Sequence, residues 1–253
     1  SRRKKNSSCI KIKMKKNDNL KRSGFHSIES IIKNNPHKIK KLFLPSSRDD
    51  KRINNLIEMA NKNDISFEIS KKLKQDPEAI ITAEDSLNFK DFKEFLDNSL
   101  DKEVLILILD NIIDPRNLGA CIRSAAVSGV DALVINKHQC APLNEIAHNV
   151  SAGGAEVVKT FFISNLVNCL KHLNKSNISI FGLSEHANKE YTDCDFTNSS
   201  ALIMGSEEFG IRKKTSENCD YLISLSNNKN FKSFNVSVAT GIILSEVSRQ
   251  RKC

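Results

Sequence analysis

Val104-Leu-Ile-Leu-Ile-Leu109-Asp-Asn-Ile-Ile-Asp-Pro115-Arg-Asn117-Leu-Gly-Ala-Cys-Ile-Arg123 is the stretch on which the fold turns. An unbroken apolar run of this length suits a central parallel strand covered on both faces. Pro115 then forces a turn, and a helix is expected over 118–128 with Asn117 as its cap, because an asparagine oxygen accepts a backbone N–H of the first turn. The same strand–turn–helix unit recurs downstream. Strands are expected at 132–135, 157–163, 178–183, 201–204 and 221–225, and helices at 144–150, 166–173, 211–218 and 236–250. Regular alternation of this kind gives an α/β domain with an open parallel sheet over 103–253. Ligands on such sheets sit beyond the carboxyl ends of the strands, which directs attention to the loops after Leu109, Met204 and Leu225.

Upstream, the pattern predicts a second, small α/β domain over 23–82. Ile28, Ile31 and Ile32 recur at helical spacing, as do Ile53, Leu56, Ile57 and Ala60 after Asp49-Asp50. Strands are expected at 41–44, 65–69 and 79–82. Residues 83–102 turn polar, with Phe89, Phe92, Phe95 and Leu96 as anchors, and are expected to be a linker. Residues 1–22 carry ten Lys or Arg and one acid, Asp18, and are expected to form a disordered basic arm. Such an arm is either a non-specific phosphate contact or a solvated tail.

The 253 residues hold 39 Lys and Arg against 30 Asp and Glu, a net charge of +9. A basic balance fits RNA or DNA as partner, and fits a lysine-rich solubilising surface equally well. No apolar run approaches the ~18 residues of a membrane span. The basic N-terminal stretch has no apolar segment after it, so no signal peptide and a soluble, cytoplasmic protein are expected. Seven cysteines with no Cys-x-x-Cys pair suggest neither a disulfide framework nor a zinc site, and a reducing compartment. Neither a Walker A loop nor a Gly-x-Gly-x-x-Gly turn is present, which disfavours an ATP-phosphate or dinucleotide site.

Three loops carry candidate chemistry. In the first, Gly119 and Ala120 permit close approach, and Arg123 follows Asn117 by six residues. The second reads Met204-Gly-Ser-Glu-Glu-Phe-Gly-Ile-Arg212: Gly205 lets backbone come near a ligand, and Glu207 or Glu208 could accept hydrogen bonds. The third reads Phe231-Lys-Ser-Phe-Asn-Val236, with Ser233 and Asn235 at the mouth of the last helix. Taken singly, each reads equally as a capped helix or an ordinary loop.

Taken together, in this order and spacing, the loops resemble the three signature motifs of the SpoU class of RNA 2′-O-ribose methyltransferases, in the SPOUT superfamily. The resemblance covers 24–82 loosely and 104–251 closely, and is strongest to the branch acting on a guanosine ribose of large-subunit ribosomal RNA. The stretch 142–155 is also similar to the family's segment between its first two motifs. The resemblance implies a sheet threaded into a trefoil knot, preceded by a ribosomal-protein-like RNA-binding domain. It also implies S-adenosyl-L-methionine as cofactor, no metal, and a homodimer whose site is completed at the interface. Carried over by position, Arg123 matches the catalytic arginine, Asn117 the asparagine supporting it, Glu207 the second-motif glutamate, and Ser233 with Asn235 the third-motif pair. Gly205, Leu225 and Phe234 fall where cofactor contacts lie.

Glu208 and Phe209 depart from the family pattern, as do Ser226-Asn227 and Phe234; they imply a bulkier adenine pocket. Pro77-Glu78-Ala79 stands where relatives have a His-Gln-Gly turn. A guanidinium keeps its proton, so Arg123 is expected to bind the neighbouring phosphate and orient the 2′-hydroxyl. Proton loss is then assisted by that phosphate or by Asn235. A transfer-RNA target and a non-catalytic RNA-binding homologue are the competing readings; a nucleotide-binding dehydrogenase is disfavoured by the missing glycine fingerprint.

Overall fold

The structure is a computed structural model that describes residues 19–83, 86–206, 208–226, 228 and 233–251. The small domain runs β1 (Asn19–Ser23), α1 (Phe25–Asn34), β2 (Ile39–Pro45), α2 (Lys51–Lys62), β3 (Phe67–Ser70) and β4 (Glu78–Thr82). Its sheet order is β1-β4-β2-β3, with β2 and β3 parallel and β4 antiparallel to both β1 and β2. The expected helical stripes are buried: Ile28, Ile31, Ile32, Ile53, Leu56 and Ala60 share one core with Ile39, Leu42, Leu44, Ala79 and Ile81. Asp50 caps α2 by accepting from the N–H groups of Arg52 and Ile53.

Two boundaries differ from expectation. Residues 19–22, placed in the basic arm, form the edge strand β1, paired with Ile80 and Ile81 among others on β4. With Leu20 as its single apolar residue, this strand carries no period-two signal; backbone pairing holds it. The rest of the arm lies outside the described residues. The expected linker contains α3 (Phe89–Asp97), with a capping box from Asn88 and Asp91. Phe92 and Leu96 are buried in the core of the following domain, and the Phe92 ring meets Phe161 edge-on at 5.1 Å. The spacing of Phe89, Phe92 and Leu96 is therefore an amphipathic helix face, and the larger domain begins before residue 103.

That domain continues through β5 (Leu105–Leu109), α4 (Pro115–Val127), β6 (Ala132–Asn136), α5 (Glu145–Ser151), β7 (Thr160–Ile163), α6 (Leu166–Lys175), β8 (Ser179–Leu183), β9 (Lys189–Glu190), β10 (Ser200–Met204), α7 (Lys213–Ser216), β11 (Tyr221–Ser224) and α8 (Val236–Arg251). The seven strands lie in the order β7-β6-β5-β10-β8-β11-β9, and every pairing is parallel. All five residues of β5, β6 and β10 are buried. Alternation sends Leu105, Leu107 and Leu109 into a core with residues of α4 and α8, and Ile106 and Ile108 into one with α3 and α6. Among the described residues no helix is long and apolar enough to cross a membrane.

The two domains are docked. Arg22 on β1 lies 2.9 Å from His148 Nε2 and 3.4 Å from Glu156 Oε1. Ser30 Oγ donates to the carbonyl of Gly153. Gly153 sits at φ +90°, and a Cβ there would lie 2.7 Å from the His26 carbonyl oxygen. Glycine is thus required both by the backbone angle and by the closeness of the partner domain.

Candidate active site

Strands β8, β10 and β11 open at their carboxyl ends into a cavity of about 260 Å³. The loop after β10 forms one wall. Ser206 and Gly210 exchange N–H to C=O bonds at 3.1 and 2.8 Å, and Ser206 Oγ accepts from the Phe209 N–H at 3.0 Å. This ring is so tight that a Cβ on Gly205 would stand 2.1 Å from the Gly210 carbonyl carbon. It turns Phe209 outward, 68% exposed, while Glu208, Phe209 and Ile211 still edge the cavity.

An ion pair that the sequence reading missed anchors this loop. Asp110, fully buried at the end of β5, accepts from Arg212 Nε at 2.9 and 3.1 Å, Thr215 Oγ1 at 2.7 Å and Asn136 Nδ2 at 2.9 Å. The available signal was an acid ending a fully apolar strand, which needs a cation or several donors once buried.

The third loop meets the first. Asn235 Nδ2 donates to Asn117 Oδ1 at 3.2 Å, and Asn235 Oδ1 accepts from the Ser237 N–H at 3.0 Å, as a cap for α8 would. Asn117 itself is not a cap: Asp114 accepts from the Arg116 N–H, and Pro115 is the first helical residue. The helix thus starts three residues earlier than expected, leaving Asn117 on its first turn for the contact with Asn235.

Of the predicted site residues, Gly205, Leu225, Ser233 and Phe234 line the cavity together. Asn235 stands between two lining residues, Phe234 and Val236, and brings Asn117 with it. Arg123 is elsewhere in the chain's own fold: it is exposed on α4, in a shallow concavity with Gly129, Gly241, Ser245, Ser248 and Arg251. Glu207 lies outside the described residues. Thiol chemistry is not on offer nearby, since burial pushes the Cys140 thiol up to about 11 and that of Cys219 to about 12.

The cavity suits an adenosyl group. Leu183, Met204, Ile211, Leu225 and Phe234 supply apolar walls, and the Gly205 loop brings backbone edges where a side chain would intrude. Its volume is about 260 Å³, slightly below the ~300–1,000 Å³ usual for ligand clefts.

Fold and cavity together fit a methyltransferase built on an open parallel sheet. The model of the SpoU rRNA methylase family matches residues 104–245, and that described as RNA 2′-O ribose methyltransferase substrate binding matches residues 23–76. The chain belongs to the SpoU rRNA methylase family. It is 34% identical over 247 residues to the 23S rRNA (guanosine-2′-O-)-methyltransferase RlmB of Shewanella oneidensis, across 94% of this chain and 100% of that protein. It is also 34% identical to RlmB of Escherichia coli K12, over 90% of this chain and 97% of that one. The SpoU methyltransferase AviRb from Streptomyces viridochromogenes, solved in complex with AdoMet, shares the fold: TM-score 0.76 at 20% identity, covering 92% of this chain and 91% of that one.

Proposed function

We propose that this protein transfers the methyl group of S-adenosyl-L-methionine to the 2′-hydroxyl of a guanosine ribose in large-subunit ribosomal RNA. The cofactor supplies a methyl already activated on a sulfonium, so the protein's task is to align the acceptor and help one proton leave. The observation that carries the reading is the convergence of the second and third loops on one cavity, with the Asn117–Asn235 pair beside it. Backbone of the Gly205 loop, Leu225 and Phe234 hold the cofactor; Ser233 and Asn235 face the acceptor ribose, and Glu207, the second-motif glutamate, belongs to the catalytic set. A metal has no part in this scheme, and the setting is the cytoplasm.

Arg123 acts on the RNA from a second copy of the chain. Its separation from its own cavity supports this, as does the α4/α8 surface around it, where Val127 is 83% and Val238 49% exposed. At Gly241, in the same concavity, a Cβ would meet nothing within 4 Å, leaving room for another helix. The pairing is a two-fold homodimer, which places two such arginines symmetrically. The test is methyl transfer from labelled cofactor by mixed dimers. A chain carrying Arg123→Ala, mixed with one carrying Gly205→Trp, is expected to recover activity that neither has alone. No recovery despite mixed-dimer formation refutes the shared site.

A further inference from the structure

We infer that Arg48 and Arg52, held against the Phe25 ring, form a phosphate grip for the RNA strand whose ribose Arg123 of the same chain orients. The inference rests on the proposed RNA substrate and adds where the small domain holds it. Both guanidiniums lie over one buried phenyl ring, at 4.9 Å for Arg48 and 4.5 Å for Arg52. Stacking on an aromatic face fixes a guanidinium's plane and leaves its edge for planar acceptors.

The carboxylates in the cluster use only part of this capacity. Asp50 occupies one edge of Arg48, at 2.7 Å from Nε and 2.5 Å from Nη2, and Glu29 lies 3.5 Å from Arg52 Nε. Arg52 Nη2 is also 3.2 Å from Nε2 of the exposed His26. Each guanidinium offers five N–H donors, so N–H groups on the outer Nη1/Nη2 edge of each arginine remain for phosphate oxygens. The loop after β3 is tied beside them: Ser47 Oγ donates to the Lys74 carbonyl, and Arg48 Nη1 to that of Gln75. It brings the exposed Lys71, Lys72 and Lys74 to the same end of the domain.

Position makes this end a binding surface for the reaction's own strand. The His26 carbonyl packs on Gly153, and the adjoining Gly154 packs on α4, where a Cβ would lie 3.2 Å from Arg123 Cα. Two consecutive glycines therefore separate the His26 carbonyl, on the residue whose ring meets Arg52, from the catalytic arginine's backbone, a distance within about 13 Å at ~3.8 Å per Cα step. With the side chains added at both ends, an RNA strand reaching from Arg52 to Arg123 spans several nucleotides at ~3.4 Å of rise each.

The test uses the full-length wild-type protein, the cofactor and the ribosomal RNA fragment it methylates. Arginine-selective labelling by phenylglyoxal, read by mass spectrometry, is expected to show Arg48 and Arg52 protected by RNA. The paired substitution Arg48→Gln with Arg52→Gln should raise the KM for RNA at least tenfold. The turnover number and the cofactor affinity should stay within about twofold. The salt slope of log K should fall by about 1.4 to 1.8, the loss of two phosphate contacts. Lys33→Gln with Lys62→Gln, at the far ends of α1 and α2, should change KM less than twofold. Unprotected arginines, or equal losses from the two pairs, overturn the grip. Methyl transfer by the wild-type protein is read in the same tubes, so absence of RNA methylation, a failure of the underlying reading, is seen separately.

Discussion

Glu156→Gln tests how the two domains are held together. Glu156 Oε1 is 3.4 Å from Arg22 Nε and 3.5 Å from His148 Nδ1, with the Arg22 and Glu156 side chains 10% and 7% exposed. Burial lowers the pKa of the Arg22 guanidinium, and Glu156 opposes that shift. The substitution removes the charge and leaves the cation facing the Lys21 carbonyl and the His148 ring. Stranding one member of a buried pair costs ~3–5 kcal/mol. Undocking of the small domain gives Arg22 a route to water, which limits the loss to the lower end, about 3 kcal/mol. Urea unfolding should show the small domain melting ahead of the larger one, and X-ray scattering should show an increased radius of gyration. A loss below about 0.5 kcal/mol with an unchanged radius would refute the view that this cluster fixes the domain arrangement.

Three further outcomes follow. Burial, aided by Arg22, lowers the His148 pKa from 6.5 to about 3; the unfolded chain therefore binds a proton that the folded chain refuses. Stability from this group is complete above pH 6.5 and is lost as pH falls toward 3, by at most ~1.4 kcal/mol per unit; His148→Gln, whose amide oxygen still accepts from Arg22, should flatten that slope in chemical unfolding. Gly205→Ala puts a methyl 2.1 Å from the Gly210 carbonyl carbon, so calorimetry should show cofactor affinity reduced by more than about tenfold, ~1.4 kcal/mol; unchanged affinity would mean the loop is not the cofactor wall. Arg123→Lys should bind cofactor normally and lose methyl transfer, because a lysine lacks the planar fork; turnover kept within about twofold would remove Arg123 from the mechanism.

Much of this was legible because chemistry and periodicity coincide. The run 104–109 could be read as a two-sided buried strand, and β5 is buried throughout. Helix stripes such as Ile28, Ile31 and Ile32 were equally plain. What stayed hidden depends on partners distant in sequence. β1 has almost no apolar pattern and exists because β4 offers an edge. Asp110 meets Arg212 across 102 positions and Arg22 meets His148 across 126, and no local signal pairs them. The polar stretch over 83–102 concealed α3 because its flanks are charged, although its phenylalanines keep helical spacing. Within the site, the loops gave Gly205, Leu225, Ser233 and Phe234, which the fold gathers at one cavity. The position of Arg123 away from that cavity is a property of three-dimensional packing that no motif expresses.

The most direct measurement is the chemical position of the methyl group. A 2′-O-methyl group blocks alkaline cleavage at its own nucleotide, so labelled RNA methylated by the protein and hydrolysed in alkali should yield an alkali-resistant dinucleotide beginning with guanosine, from 23S rRNA and not from tRNA. Label released on a base, found in tRNA, or absent altogether would contradict the account.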